Sequence, residues 1–180
     1  SPGWCAIRCA ASSDYPETDM SQATSRISRV YVSSPKLSLT VQYASCAQHL
    51  PTRAQLRRWI SAALQREVSI TLRIVDEPDG RELNKTYRSK DYATNVLTFV
   101  YDDTQPLSGD IVICAPVVER EAAAQHKGLL AHYAHLAIHA ALHLQGYQHD
   151  DETGAAGMES LESALMLKLR YPDPYQANRH

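Results

Sequence analysis

No apolar run in this sequence approaches the roughly 20 residues that a membrane-spanning helix needs. The opening stretch SPGWCAIRCAASS lacks the apolar centre of a secretory signal, so the expected location is the cytoplasm, with no membrane partner. Cysteine is sparse: Cys5, Cys9, Cys46 and Cys114 form no C-x-x-C pair. A chain of 180 residues can bury a full core without disulfide staples, so all four are read as free thiols. There is also no strong charge of either sign. A net charge of −2 gives no whole-chain attraction to nucleic acid, and any such binding must come from a local patch. What remains is the ordinary make-up of a globular protein, with 44% apolar and 21% charged residues.

Residues 1–36 are rich in Ser and small polar residues and show no sustained period. They are expected to be disordered or a non-native extension, with Met20 a candidate start. The folded domain is expected over residues 37–176, followed by a tail, 177–180. Alternating Leu37, Leu39, Val41 and Tyr43 predict a first strand. Pro51 is placed to start a helix carrying Leu56, Ile60 and Leu64. VSITLRIVD is a second strand, DGRELNKTYR a short helix, and NVLTFVY and SGDIVICA two more strands. Helices follow over about 116–126, 129–145 and 154–170, the last stopped by the prolines of YPDPY. The fold class is α/β (α+β): one domain, a small mixed sheet of about four strands packed against about five helices.

His132, His135, His139 and His143 recur at steps of three and four, which places them near one face of a single helix. Their neighbours in HLAIHAALHL are apolar, and several unpaired buried imidazoles would be costly. A shared metal explains them better. His139 and His143 lie one turn apart, about 6 Å along the axis, and can converge on one ion. His135 and His143 are about 12 Å apart along a straight helix and cannot readily do so. The third ligand must come from a chain that has turned back. Gly146 supplies the turn, and His149 follows it. The candidate ligands of one Zn²⁺ are therefore His139, His143 and His149, with an open fourth position. His135 is read as a supporting or core residue, and His49, His126 and His132 as structural or exposed.

The same H-x-x-x-H-x-x-G-x-x-H spacing occurs in zinc proteases, where the residue after the first His is the general-base Glu. Here it is Ala140. Three neutral ligands leave zinc its full charge and bring the pKa of a bound water to about 7, so a base matters less. It matters most for amides, whose leaving amine must be protonated. A phosphodiester instead needs its growing negative charge stabilised, best by a guanidinium. RELNKTYRSKDYATNVLTF carries such charge: Arg81, Lys85 and Arg88 share one helical face, and Lys90 follows.

That segment, the strand SGDIVIC, the run HLAIHAALHLQGYQHD and the downstream MESLESALMLKLRYPDPY together resemble, in order, the YbeY family of bacterial single-strand-specific endoribonucleases of ribosomal RNA maturation. The resemblance runs from about Leu37 to Tyr175. It implies a zinc-dependent hydrolase acting at the 3′ end of small-subunit (16S) rRNA and in ribosome quality control. It implies His139, His143 and His149 as metal ligands and Arg88 as the functionally important arginine. It also implies the small ribosomal subunit and an Era-type GTPase as partners. On this reading Arg88 holds the scissile phosphate, while Arg81, Lys85 and Lys90 track the RNA backbone.

Three positions depart from the family pattern. Ala140 stands where Gly is usual, Ala93 where Pro is frequent, and Gln148 where Asp is usual. The last removes a carboxylate beside the third ligand, leaving Asp110, Asp150 and Asp151 as candidates to orient the imidazoles. With one Phe and two Trp, no aromatic platform for stacking bases is evident. Tyr87, Tyr92 and Tyr147 are the nearest candidates, and core packing is expected for each. The rival readings are a metalloprotease drawing its base from Glu119 or Glu121, and a ribosome-assembly factor in which zinc is only a staple.

Overall fold

Strand periodicity decides the layers. In a computed structural model describing residues 34–102, 104–148 and 152–176, four strands form one sheet in the order β1-β2-β4-β3. They are β1 (Leu37–Ala44), β2 (Val68–Val75), β3 (Val96–Asp102) and β4 (Leu107–Cys114). β1, β2 and β4 run parallel, with Leu37 beside Val68 and Val68 beside Leu107. β3 is an antiparallel edge strand that places Val96 opposite Ile113 and Thr98 opposite Ile111. The helices among the described residues are α1 (Arg53–Ala63), α2 (Glu77–Arg88), α3 (Ala115–Ala124), α4 (Leu129–Leu144) and α5 (Glu152–Lys168).

Alternate residues of each strand divide between two faces. Ile70, Leu72 and Ile74 of β2 and Leu107, Ile111 and Ile113 of β4 enter the main core with Leu56, Trp59 and Ile60 of α1 and the apolar side of α4. Met158 and Met166 bring α5 into that core from beyond α4. On the opposite face a smaller cluster, Val75, Leu97, Val112, Cys114 and Val117, lies under α2 and α3. Further along that face the side chains turn polar, as at Thr40, Gln42, Thr71 and Arg73, and the sheet meets solvent. Small residues permit the close fit on the α4 side. A Cβ on Gly109 would stand 2.3 Å from the Phe99 carbonyl oxygen and 2.7 Å from Leu144 Cδ1.

The elements agree with the expected α/β class, and differences are confined to ends. α1 is capped by Thr52, not started by Pro51. Thr52 Oγ1 accepts from Gln55 N at 3.2 Å and Gln55 Oε1 accepts from Thr52 N at 2.8 Å. This reciprocal capping box satisfies two otherwise orphaned donors. Of the cysteines, Cys46 is exposed, Cys114 is buried and both are free thiols. Cys5 and Cys9, like the rest of residues 1–33 and the tail 177–180, lie outside the described residues. No helix among the described residues is long and apolar enough to cross a membrane.

Candidate metal centre

Sixteen residues of α4 carry two stripes. Tyr133, Ala134, Ala137, Ile138, Ala141 and Leu142 are buried against the sheet and α1. His132, His135, His139 and His143 form the other stripe, with successive ring centroids 6.5, 6.2 and 4.5 Å apart. The closest pair is His139 and His143, the two expected to share an ion. α4 ends as expected, with Gly146 at φ +97° turning the chain back. The third expected ligand, His149, lies outside the described residues, as do Asp150 and Asp151.

The carboxylate that meets the histidines is Glu162 of α5, fully buried. Its Oε1 lies 2.5 Å from His139 Nδ1 and its Oε2 3.1 Å from His135 Nε2. The Tyr175 hydroxyl also donates to Oε2. Burial alone would push the Glu162 carboxyl up. Hydrogen bonds from His135 and His139, the charge of His139 and the Tyr175 hydroxyl outweigh it and hold the group at about 2. Glu162 is thus an ionised carboxylate inside the protein, tolerable only because donors surround it.

His135, His139 and Glu162 offer ligand atoms within 4.8 Å of one another, a set that could hold a metal ion. The distances favour a different division of labour. Two ligands on a tetrahedral zinc stand about 3.3 Å apart, given bonds of about 2.0–2.1 Å. The Glu162–His139 separation of 2.5 Å is that of a direct hydrogen bond. A carboxylate on Nδ1 fixes the ring and its tautomer, so that Nε2 is the nitrogen presented to an ion. The signal for Glu162 is visible in the sequence: it sits four residues from both Met158 and Met166, on the buried stripe of α5.

Arg88 comes to the same place from the other side. It ends α2, where Ser89 adopts a left-handed φ of 56° and donates its N–H to Lys85 O at 3.0 Å. Buried Asn84 ties down the following loop by donating Nδ2 to Tyr92 O at 2.7 Å. Arg88 then lines a cleft of ≈ 310 Å³ with Asn95, Thr98, His139 and His143. Its helix neighbours are engaged elsewhere. Arg81 holds Asp91 with Nε–Oδ1 and Nη2–Oδ2 both at 2.9 Å, and Lys85 Nζ lies 3.8 Å from the same carboxylate. That fork keeps the Asp91 carboxyl below the usual range. Lys90 is exposed and outside the cleft lining.

Glu121 has both oxygens near Asn95 Nδ2, at 3.0 and 3.2 Å, and one 2.8 Å from buried His132 Nε2. Burial lowers the His132 imidazole's pKa, with Glu121 pulling it back. Two expectations are corrected. Asp110 does not orient a histidine: it points to the opposite sheet face, where the Tyr101 hydroxyl donates to it. Tyr87 and Tyr92 are not core residues but 65% and 55% exposed, in a stretch, residues 85–92, that is exposed throughout. Tyr147 does pack against the main core.

Comparison with known proteins identifies a family. The family model described as endoribonuclease YbeY matches residues 40–170. A Methylobacillus flagellatus protein of that description is 54% identical over 145 residues, covering 81% of this chain and 97% of its own. One from Thiobacillus denitrificans is 53% identical over 145 residues, covering 79% and 99% respectively. A solution structure of a Thermotoga maritima protein overlaps 73% of this chain and 92% of its own, at 21% identity and a TM-score of 0.49.

Proposed function

The chain belongs to the endoribonuclease YbeY family, and from that premise we propose that it is a zinc-dependent endoribonuclease of single-stranded RNA. Its substrate on this reading is the 3′ end of small-subunit rRNA, in maturation and in ribosome quality control. The small ribosomal subunit and an Era-type GTPase are its partners. The observation that carries the reading is the cleft that Arg88 shares with His139 and His143.

The donor set suits zinc. His139 and His143 supply imidazole nitrogens from one side of α4, and His149 supplies the third by its spacing after Gly146. When bound, the ion supplies Lewis acidity and a water acidic enough to ionise near neutral pH. Glu162 holds the His139 ring by Nδ1, and Tyr175 and His135 hold Glu162 in turn. Arg88, with no ion pair among the described residues, forks onto the scissile phosphate and stabilises its charge as the bond breaks. Lys90 follows the RNA backbone, joined by Arg81 and Lys85 when phosphate displaces Asp91.

The test is single-turnover cleavage of a short single-stranded RNA, with casein as the control substrate. Arg88→Ala keeps its zinc and its fold but loses about 10²–10³ in rate, and Arg88→Lys recovers only part of it. A wild-type rate for Arg88→Ala at saturating RNA ends this assignment. Zinc-loaded protein that cuts casein and no RNA ends the nuclease reading.

A further inference from the structure

β3 is an edge strand with a cleft on each side. Val96, Thr98 and Val100 line the cleft of Arg88, His139 and His143. The residues between them point the other way, and Phe99 and Tyr101 line a second cleft of ≈ 260 Å³ on the outer face of the sheet. The last turn of α2 divides likewise, with Arg88 in the first cleft and Tyr87 in the second. One strand therefore separates the two.

The chemistry of the second cleft is specific. It holds the chain's single Phe. Tyr87 packs edge-on against that ring, centroids 5.0 Å apart. Tyr87 and Tyr101 are 65% and 66% exposed, a large apolar area to leave in water. Around the rings stand Arg73, Gln42 and Thr71. Asp110, which accepts from the Tyr101 hydroxyl, would repel phosphate but can accept from the amino edge of a base. Exposed ring faces, a guanidinium and amide, hydroxyl and carboxylate groups at base-edge positions fit single-stranded RNA with its bases toward the sheet.

We propose that this outer cleft is a second RNA subsite, built on Tyr87, Phe99, Tyr101 and Arg73, which holds nucleotides beyond the scissile phosphate after the strand has passed over the β3 edge. This rests on the cleavage reading above for its direction, because continuity with the cleft of Arg88 is what selects RNA as the occupant. The subsite serves substrates long enough to reach it and gives the enzyme a preference for unpaired RNA. Bases held in a duplex have no free faces to stack.

The experiment compares equilibrium binding of a 12-nucleotide single-stranded RNA and a trinucleotide by zinc-loaded protein. The variants are Tyr87→Ala, Tyr101→Ala, Arg73→Gln and Tyr101→Phe, each checked for an unchanged melting temperature. Loss of one stacked base weakens binding of the 12-mer by about 5- to 150-fold. Tyr87→Ala and Tyr101→Ala should show such a loss for the 12-mer and a much smaller one for the trinucleotide. Tyr101→Phe, which keeps the ring and loses only the hydroxyl, should bind nearly as wild type. Wild-type affinity for the 12-mer in a Tyr87→Ala/Tyr101→Ala double variant overturns the subsite, even if Arg88→Ala still slows cleavage as expected above. Selective loss of 12-mer binding in a protein that cuts no RNA upholds the subsite and overturns the cleavage reading. Failure of wild type to bind either RNA overturns both.

Discussion

Glu162 shows how much one side chain decides at this site. It is fully buried, charged, and held by two histidines and a tyrosine. Glu162→Gln keeps the volume but removes the charge and leaves an amide N–H₂ facing a ring nitrogen. Losing such an orienting partner typically costs about 10–100-fold in metal affinity. His143→Ala differs in kind, since it removes a proposed ligand and should leave less than one equivalent of metal. Elemental analysis and chelator competition separate the two. Glu162→Gln should purify with zinc that chelators remove more easily, whereas His143→Ala should purify largely without it. A Glu162→Gln variant with wild-type zinc affinity would mean that the carboxylate serves folding alone.

At the scale of elements, period and punctuation were enough to read most of the fold. Strand alternation in β1, β2 and β4 gave the strands within a residue or two, and the 3.6-residue stripe with Gly146 gave α4 and its end. The Thr52–Gln55 capping box was missed, because Pro51 is the more conspicuous residue beside it. Partners distant in the chain were not legible. Nothing in a one-dimensional pattern says that α5 lies beside α4, so the pattern can place Glu162 on the buried stripe of its helix but cannot name the histidines it meets. Asp110 fails for a related reason. Alternation puts it opposite Ile111, but only the assembled sheet shows that Ile111 faces α4 and Asp110 faces Tyr101. At Gly109 β3, β4 and α4 meet too closely for a Cβ. Gly109→Ala forces its new methyl against a backbone oxygen and Leu144, which cannot both give way. A loss of about 1–3 kcal/mol is expected, read as a lower urea midpoint at unchanged slope. The end of α4 shifts with it, so zinc affinity should fall as well. Stability equal to wild type would show that the sheet and α4 are less tightly apposed than the geometry requires.

For the whole molecule the controlling quantity is the balance of 18 Lys and Arg against 20 Asp and Glu. Such a chain has no general field to draw in RNA, so affinity depends on which cations are available locally. Asp91 limits that number by occupying both Arg81 and Lys85 on the exposed side of α2. These ion pairs are solvent-exposed and contribute little to stability, so opening them costs the fold almost nothing. Asp91→Asn should therefore leave the melting temperature nearly unchanged while freeing two cations next to the cleft of Arg88. Each further phosphate neutralised on a single strand steepens the dependence of log K on log salt by about 0.7. The variant should bind single-stranded RNA more tightly at low salt, with a slope steeper than wild type by about 0.7–1.4. Arg81→Ala placed on Asp91→Asn should take back about half of that increase. Binding measured across 50–200 mM NaCl decides the matter. A slope unchanged by Asp91→Asn would mean that RNA does not pass along this side of α2, and that Arg81 and Lys85 serve the loop they hold and not the substrate.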